Sequence, residues 1–125
     1  MTACDRFLCW EVAQSVDNIS KIEIVEIEDG VITSVICEIA PENYEEVVDD
    51  VQTRMELYMY SGEPYILSGK AIKITFADDT YDLIACYEPR HFVKQQDGSI
   101  SSEYSWRFFE ANHFDKIINK WIEKS

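Results

Sequence analysis

The sequence predicts an α+β domain: a mostly antiparallel sheet of about six strands in three hairpins, with two main helices packed on one face. Three observations predict it. Asp29-Gly30 separates two β-branched runs, apolar and polar residues alternate over 72–87, and apolar residues recur at helical spacing over 44–58 and 114–122. The predicted order is (α)ββαββββα, in one domain over residues 1–125.

Residues 4–16 fit a short helix, with Leu8, Val12 and Val16 on one side and Asp17-Asn18 as its end. Leu8, Trp10 and Val12 also fit a strand. Residues 20–39 read as a hairpin, because Asp-Gly suits a two-residue turn in which both positions take positive φ. That loop pairs Glu28 with Val31, Ile27 with Ile32, Ile24 with Val35 and Ile22 with Cys37. Apolar residues fall on both faces, so this hairpin is expected to be central or covered on both sides.

Pro41 suits a first helical position, and Tyr44, Val47, Val48, Val51, Met55 and Tyr58 make one face of a helix over 41–59. Ser61-Gly62-Glu63-Pro64 ends it. The second hairpin turns at Asp78-Asp79. A two-residue loop there pairs Phe76 with Tyr81, Ile74 with Leu83 and Ile72 with Ala85, all on one face. A third hairpin over 90–110 turns near Asp97-Gly98-Ser99. A final helix over 113–124 follows Asn112 as N-cap, with Phe114, Ile117, Ile118, Trp121 and Ile122 facing inward.

Lys21-Ile-Glu-Ile-Val-Glu-Ile, the acidic helix, and Ile72-Lys-Ile-Thr-Phe-Ala-Asp-Asp-Thr-Tyr-Asp-Leu together resemble small uncharacterised bacterial α+β domains with this order of elements. Asp79 stands where that pattern carries Gly. In size and acidity the chain is also similar to bacterial toxin-immunity proteins. Neither resemblance supplies catalytic residues.

Composition narrows the function classes. With 46% apolar residues, 6 Phe, 7 Tyr and 3 Trp, the chain has the means to bury a core. No run of about 18 apolar residues is long enough to span a membrane, and Met1–Trp10 lacks the pattern of a secretory signal. A cytoplasmic protein is expected. Cys4, Cys9, Cys37 and Cys86 are then expected as free thiols.

Catalytic and metal motifs are weak. His91 and His113 lie far apart, and Cys4 and Cys9 lack a second ligand pair at zinc spacing. Asp78, Asp79 and Asp82 sit at one hairpin end, but turn propensity accounts for the first two. With 4 Gly, phosphate-cradling loops are not expected. The expectation is a protein that is not an enzyme, with no cofactor and no metal.

Charge is the remaining feature. The chain has 24 acids against 11 bases, net −13, and between Lys21 and Arg54 it has ten acids and no base. Nucleic acid and anionic membrane both demand positive surface, so neither is an expected partner. A row of acids is most often a solvated face. Here neighbouring acids on the 41–59 helix repel by about 0.2–0.5 kcal/mol per pair, a cost that a docking role would explain. The candidate binding residues are Glu26, Glu28, Asp29, Glu42, Glu45, Glu46, Asp49 and Asp50. The expected partner is a basic protein, for example a toxin held by an immunity-type inhibitor. The alternative is a small-molecule module using an aromatic sheet face of Phe76, Tyr81, Tyr87, Tyr104, Trp106 and Phe108.

Overall fold

The structure is a computed structural model that describes residues 12–29, 31–54, 69–85, 90–94, 96–104 and 111–125. It is α+β, with an antiparallel sheet and two helices. The strands are β1 (Ile19–Glu28), β2 (Val31–Glu38), β3 (Gly69–Phe76), β4 (Tyr81–Ile84), β5 (Arg90–Lys94) and β6 (Ile100–Tyr104). The helices are α1 (Tyr44–Arg54) and α2 (Ala111–Lys124). The spatial order is β2-β1-β3-β4-β5-β6, with every neighbouring pair antiparallel. The sheet's described part of the core lies on β1, β3 and β4, and β2 ends the sheet.

The helix expected over 4–16 lies mostly outside the described residues. Val12–Ser15 are not helical, and a 3-10 turn follows at Val16–Asn18, capped by the Ser15 hydroxyl on the Asp17 N–H. The helix expected over 41–59 opens as a 3-10 turn at Pro41–Asn43 and becomes α-helical at Tyr44. Met55 and Tyr58 lie outside the described residues. The final helix starts at Ala111, before the expected position 113.

The first hairpin starts as expected, with Glu28 opposite Val31 and Ile27 opposite Ile32, and then departs. Glu26 faces Ser34, Val25 faces Val35, and Ile24 faces Cys37. Thr33 and Ile36 are therefore extra residues on β2, each marking a shift of register. The expected pairs Ile24–Val35 and Ile22–Cys37 do not form. The Thr33 hydroxyl, left outside the ladder, donates to the Glu26 carbonyl at 3.3 Å.

The second hairpin is shifted by one residue from the expected register. Thr75 faces Tyr81, Ile74 faces Asp82, Lys73 faces Leu83 and Ile72 faces Ile84. The loop has three residues rather than two. The Asp79 N–H donates to the Phe76 carbonyl at 3.0 Å, and the Phe76 N–H donates to the Thr80 carbonyl at 2.9 Å. Asp79 takes the left-handed conformation (φ 71°) that closes such a loop. A one-residue slip moves a whole strand's side chains to the opposite face. Phe76 is therefore on one side of the sheet and Tyr81 and Leu83 on the other.

Both faces of the sheet carry a core. On one, Ile22, Ile24, Ile72, Ile74, Phe76 and Ile84 meet Tyr44, Val47, Val48 and Val51 of α1 and Phe114, Ile117, Ile118 and Trp121 of α2. Each fully buried large apolar side chain contributes about 1.5–3 kcal/mol. On the other lie Val25, Ile27, Ala71, Leu83 and Ala85, with Ile32, Tyr81 and Phe92 partly buried beside them. The Tyr81 and Phe92 rings stack at 4.5 Å between centroids. The chain ahead of β1 is tied to the β3–β4 hairpin. The Ala13 N–H donates to the Asp82 carboxylate at 2.7 Å, the Gln14 amide donates to Asp78 and Thr80, and the Ala77 N–H donates to the Asn18 carbonyl.

Candidate functional site

The acid-only stretch between Lys21 and Arg54 builds β1, β2, the Pro41–Asn43 turn and α1, so its ten carboxylates sit on consecutive elements. Those elements do not bring the eight candidate residues into one group. The Ile39 N–H donates to the Ile22 carbonyl at 2.9 Å, and the Tyr44 hydroxyl reaches the Ser20 carbonyl at 3.5 Å. These bonds set the start of α1 against the start of β1. Glu28 and Asp29 are at the far end of β1, roughly 26 Å away at about 3.3 Å per residue.

At the helix end, Glu42, Glu45 and Asp49 are exposed. Glu46 and Asp50 turn instead towards α2, where lysines meet them. Lys120 Nζ lies 2.7 Å from Asp50 Oδ2 and 3.1 Å from Glu46 Oε2, and Lys124 Nζ lies 3.5 Å from Glu46 Oε2. Asp50 Oδ2 also accepts the Trp121 indole N–H at 3.0 Å, and its side chain is only 14% exposed. Both lysine ammoniums lie over the Trp121 ring, at 4.8 and 5.2 Å from its centroid. The hydrogen bond from Lys120 is the main reason that the Glu46 carboxyl is held below its usual range. The bond to Asp50 is the main reason that Lys120 is held above its own. Asp50 is thus a packing residue between the helices, and Glu46 is paired with two lysines while staying half exposed.

At the hairpin end, Glu28 and Asp29 are exposed, and Asp29 has the positive φ (52°) expected of the turn. Glu26 is different. It is half-buried, and its Oε2 is buried without a hydrogen-bond partner. Its register neighbours are Ser34 on β2 and Lys70 on β3.

The candidate list did not include Glu38, Val31, Val35 or Ile36. Glu38 is exposed, and the three apolar residues are 63%, 52% and 38% exposed on the edge strand. Apolar residues on both faces predict a hairpin that is central or covered on both sides. That holds for β1, where Ile22, Ile24, Val25 and Ile27 are all buried, but not for β2. The missed signal is the composition of Val31–Glu38, which has no residue of the kind that protects a strand edge until Glu38.

The remaining candidates resolve differently. Asp78 accepts from the Thr80 N–H and hydroxyl and from Gln14, and these bonds, the Thr80 hydroxyl first, hold its carboxyl below the usual range. Asp82 is fully buried and accepts from Ala13. These two carboxylates tie the chain ahead of β1 to the β3–β4 hairpin. Among the described residues no group of three or more His, Cys, Asp or Glu could hold a metal ion. Cys37 is a half-buried free thiol. The single aromatic face is not formed, because Phe76 and Tyr81 are on opposite sides of the sheet. Tyr87, Trp106 and Phe108, like Cys4, Cys9 and Cys86, lie outside the described residues. Among the described residues no helix is long and apolar enough to cross a membrane.

Compared with protein-family models, with curated proteins and with solved structures, the chain has no match in any of the three.

Proposed function

We propose that this chain is a non-catalytic, cytoplasmic protein-binding domain with a basic partner, of the kind an immunity-type inhibitor of a basic toxin would be. The reading takes the sheet in full as six strands in three hairpins, in the order (α)ββαββββα, with β2 as its outer edge. One observation carries it. The stretch without a single base exposes Glu28, Asp29, Glu38, Glu42, Glu45 and Asp49, and the same stretch exposes Val31, Val35 and Ile36. Charge of one sign speeds encounter with the opposite sign and repels wrong partners. Apolar anchors inside a polar surround then supply the affinity.

The reading is tested by surface plasmon resonance against a panel of basic proteins that includes cytotoxic nucleases. A true partner associates about ten-fold more slowly when salt rises from about 20 mM to about 500 mM, because the Debye length shrinks below the separation of the charges. Joint replacement of Glu28, Asp29, Glu42, Glu45 and Asp49 by alanine slows association to the same degree. A partner whose on-rate ignores both changes overturns the reading.

A further inference from the structure

We propose that the outer edge of β2 is a strand-addition site for an extended segment of a partner protein that carries Lys or Arg, an inference that rests on the protein-binding reading above. β2 ends the sheet, and among the described residues no strand pairs with its outer side. Its outward N–H and C=O groups are a template for another strand. Natural edges are guarded by lysine, proline, an inward-pointing charge or bulges, and of these β2 carries its two bulges at Thr33 and Ile36. Val31-Ile-Thr-Ser-Val-Ile-Cys-Glu38 has no lysine and no proline, and its one charge is at its end. Val31 and Val35 sit on opposite faces of the strand, and both are more than half exposed. An added strand would cover one on each face.

Charge selects the occupant. Glu28 and Asp29 flank β2 at one end and Glu38 flanks it at the other, all exposed. A second copy paired antiparallel would bring these acids together at both ends, on a chain of net −13. A basic segment meets them with the opposite sign. Glu26 adds a specific acceptor. Alternation from Ile24, which faces the helices, and from Val25 and Ile27, which do not, puts Glu26 on the same face as Val31 and Ser34. Its Oε2 accepts no hydrogen bond, although Lys70 is opposite on β3. An unpaired buried oxygen is unfavourable, and rotation of the side chain offers it to a new donor. A strand added to β2 lies roughly 10 Å from β1. Ser34 is small and exposed, so a lysine or arginine can lie across it and reach Glu26.

The probe is a synthetic peptide of alternating Lys and Val. Its controls are the Glu-Val counterpart and the Lys-Val peptide N-methylated at alternate backbone nitrogens. Amide hydrogen exchange and NMR shifts are read residue by residue. Strand addition gives protection concentrated on β2 with the Lys-Val peptide alone. Affinity falls at least ten-fold with N-methylation or with Val35→Lys, and several-fold with Glu26→Gln, while circular dichroism stays unchanged for both variants. Equal binding of the N-methylated peptide, or binding unmoved by Val35→Lys, overturns the proposal. If that binding is instead lost in the joint alanine variant at Glu42, Glu45 and Asp49, a basic partner still docks, but on the helix. Protein that sediments as a dimer, and as a monomer after Val35→Lys, assigns the edge to a second copy and overturns the basic occupant. Absence of binding by the Lys-Val peptide at millimolar concentration overturns strand addition, whereas the basic-partner reading falls only if the on-rates of basic proteins ignore salt.

Discussion

Asp50 joins the two helices through two donors, the Trp121 indole and the Lys120 ammonium, and its side chain is mostly removed from water. Replacing it with alanine strands the indole N–H in a buried setting, since Trp121 is 1% exposed. Asp50→Ala is expected to lose about 1–3 kcal/mol, the usual penalty for a buried donor without an acceptor. Asp50→Asn keeps an oxygen for the indole and should lose less. Urea denaturation of both variants checks the order, and an equal loss would show that the indole bond contributes nothing.

Glu46 and Lys120 link this cluster to pH. The Glu46 carboxyl is lowered from an ordinary 4.5, so its contribution is present above that value and lost as pH falls through the lower folded one. The Lys120 ammonium is raised from 10.5, so its contribution is present below that value and lost as pH rises through the higher folded one. The cluster therefore favours the fold between about pH 4.5 and about pH 10.5. Glu46 is half exposed and Lys120 about a third exposed, so solvent screening keeps the effect small. Glu46→Gln should flatten part of the acid limb of the stability profile and leave the alkaline limb in place. Urea midpoints taken across the acid range check this, and an unchanged acid limb would remove Glu46 from the account.

Among the elements, the helices were the most legible in the sequence. Tyr44, Val47, Val48 and Val51, and Phe114, Ile117, Ile118 and Trp121, are buried as their spacing predicts, because a helical stripe depends only on local period. The strands were less so. Asp78-Asp79 fits a two-residue or a three-residue loop equally well, and the choice turns every side chain of β4 over. Asp79 holds the answer. Only it, and not Asp78, has positive φ in this loop, whereas either favoured two-residue turn would need positive φ at its first position, Asp78. A β-branched residue at Asp79 should then cost about 1–2 kcal/mol, the left-handed penalty, while the same change at Asp78 carries no such penalty. Asp79→Gly should be tolerated. Thermal denaturation of Asp79→Val, Asp78→Val and Asp79→Gly decides the register, and equal losses for the two valine variants would favour the two-residue loop. The two bulges of β2 were illegible for a related reason. Thr33 and Ile36 fit a continuous strand by propensity, and only pairing with β1 marks them as extra.

For the whole molecule, net charge was legible and its distribution was not. The count of −13 is read directly from the sequence, but the pairing of Asp50 with Lys120 joins residues 70 apart, beyond the reach of any local pattern. The fold divides the acids into a helix group, partly offset by α2, and a hairpin group roughly 26 Å away along β1. Two opposed salt effects follow. Added salt weakens the few lysine–carboxylate contacts, and it also screens the mutual repulsion of the excess carboxylates. With 24 acids against 11 bases, repulsion outnumbers attraction, and the exposed pairs contribute little individually. The melting temperature should therefore rise as monovalent salt increases from about 10 mM to about 300 mM, over which the Debye length falls from about 30 Å to below 10 Å. The first part of that range screens the two acidic groups from each other, and the later part acts within each group. A melting temperature that falls with salt would mean that the Glu46–Asp50–Lys120–Lys124 contacts outweigh the repulsion in the folded state.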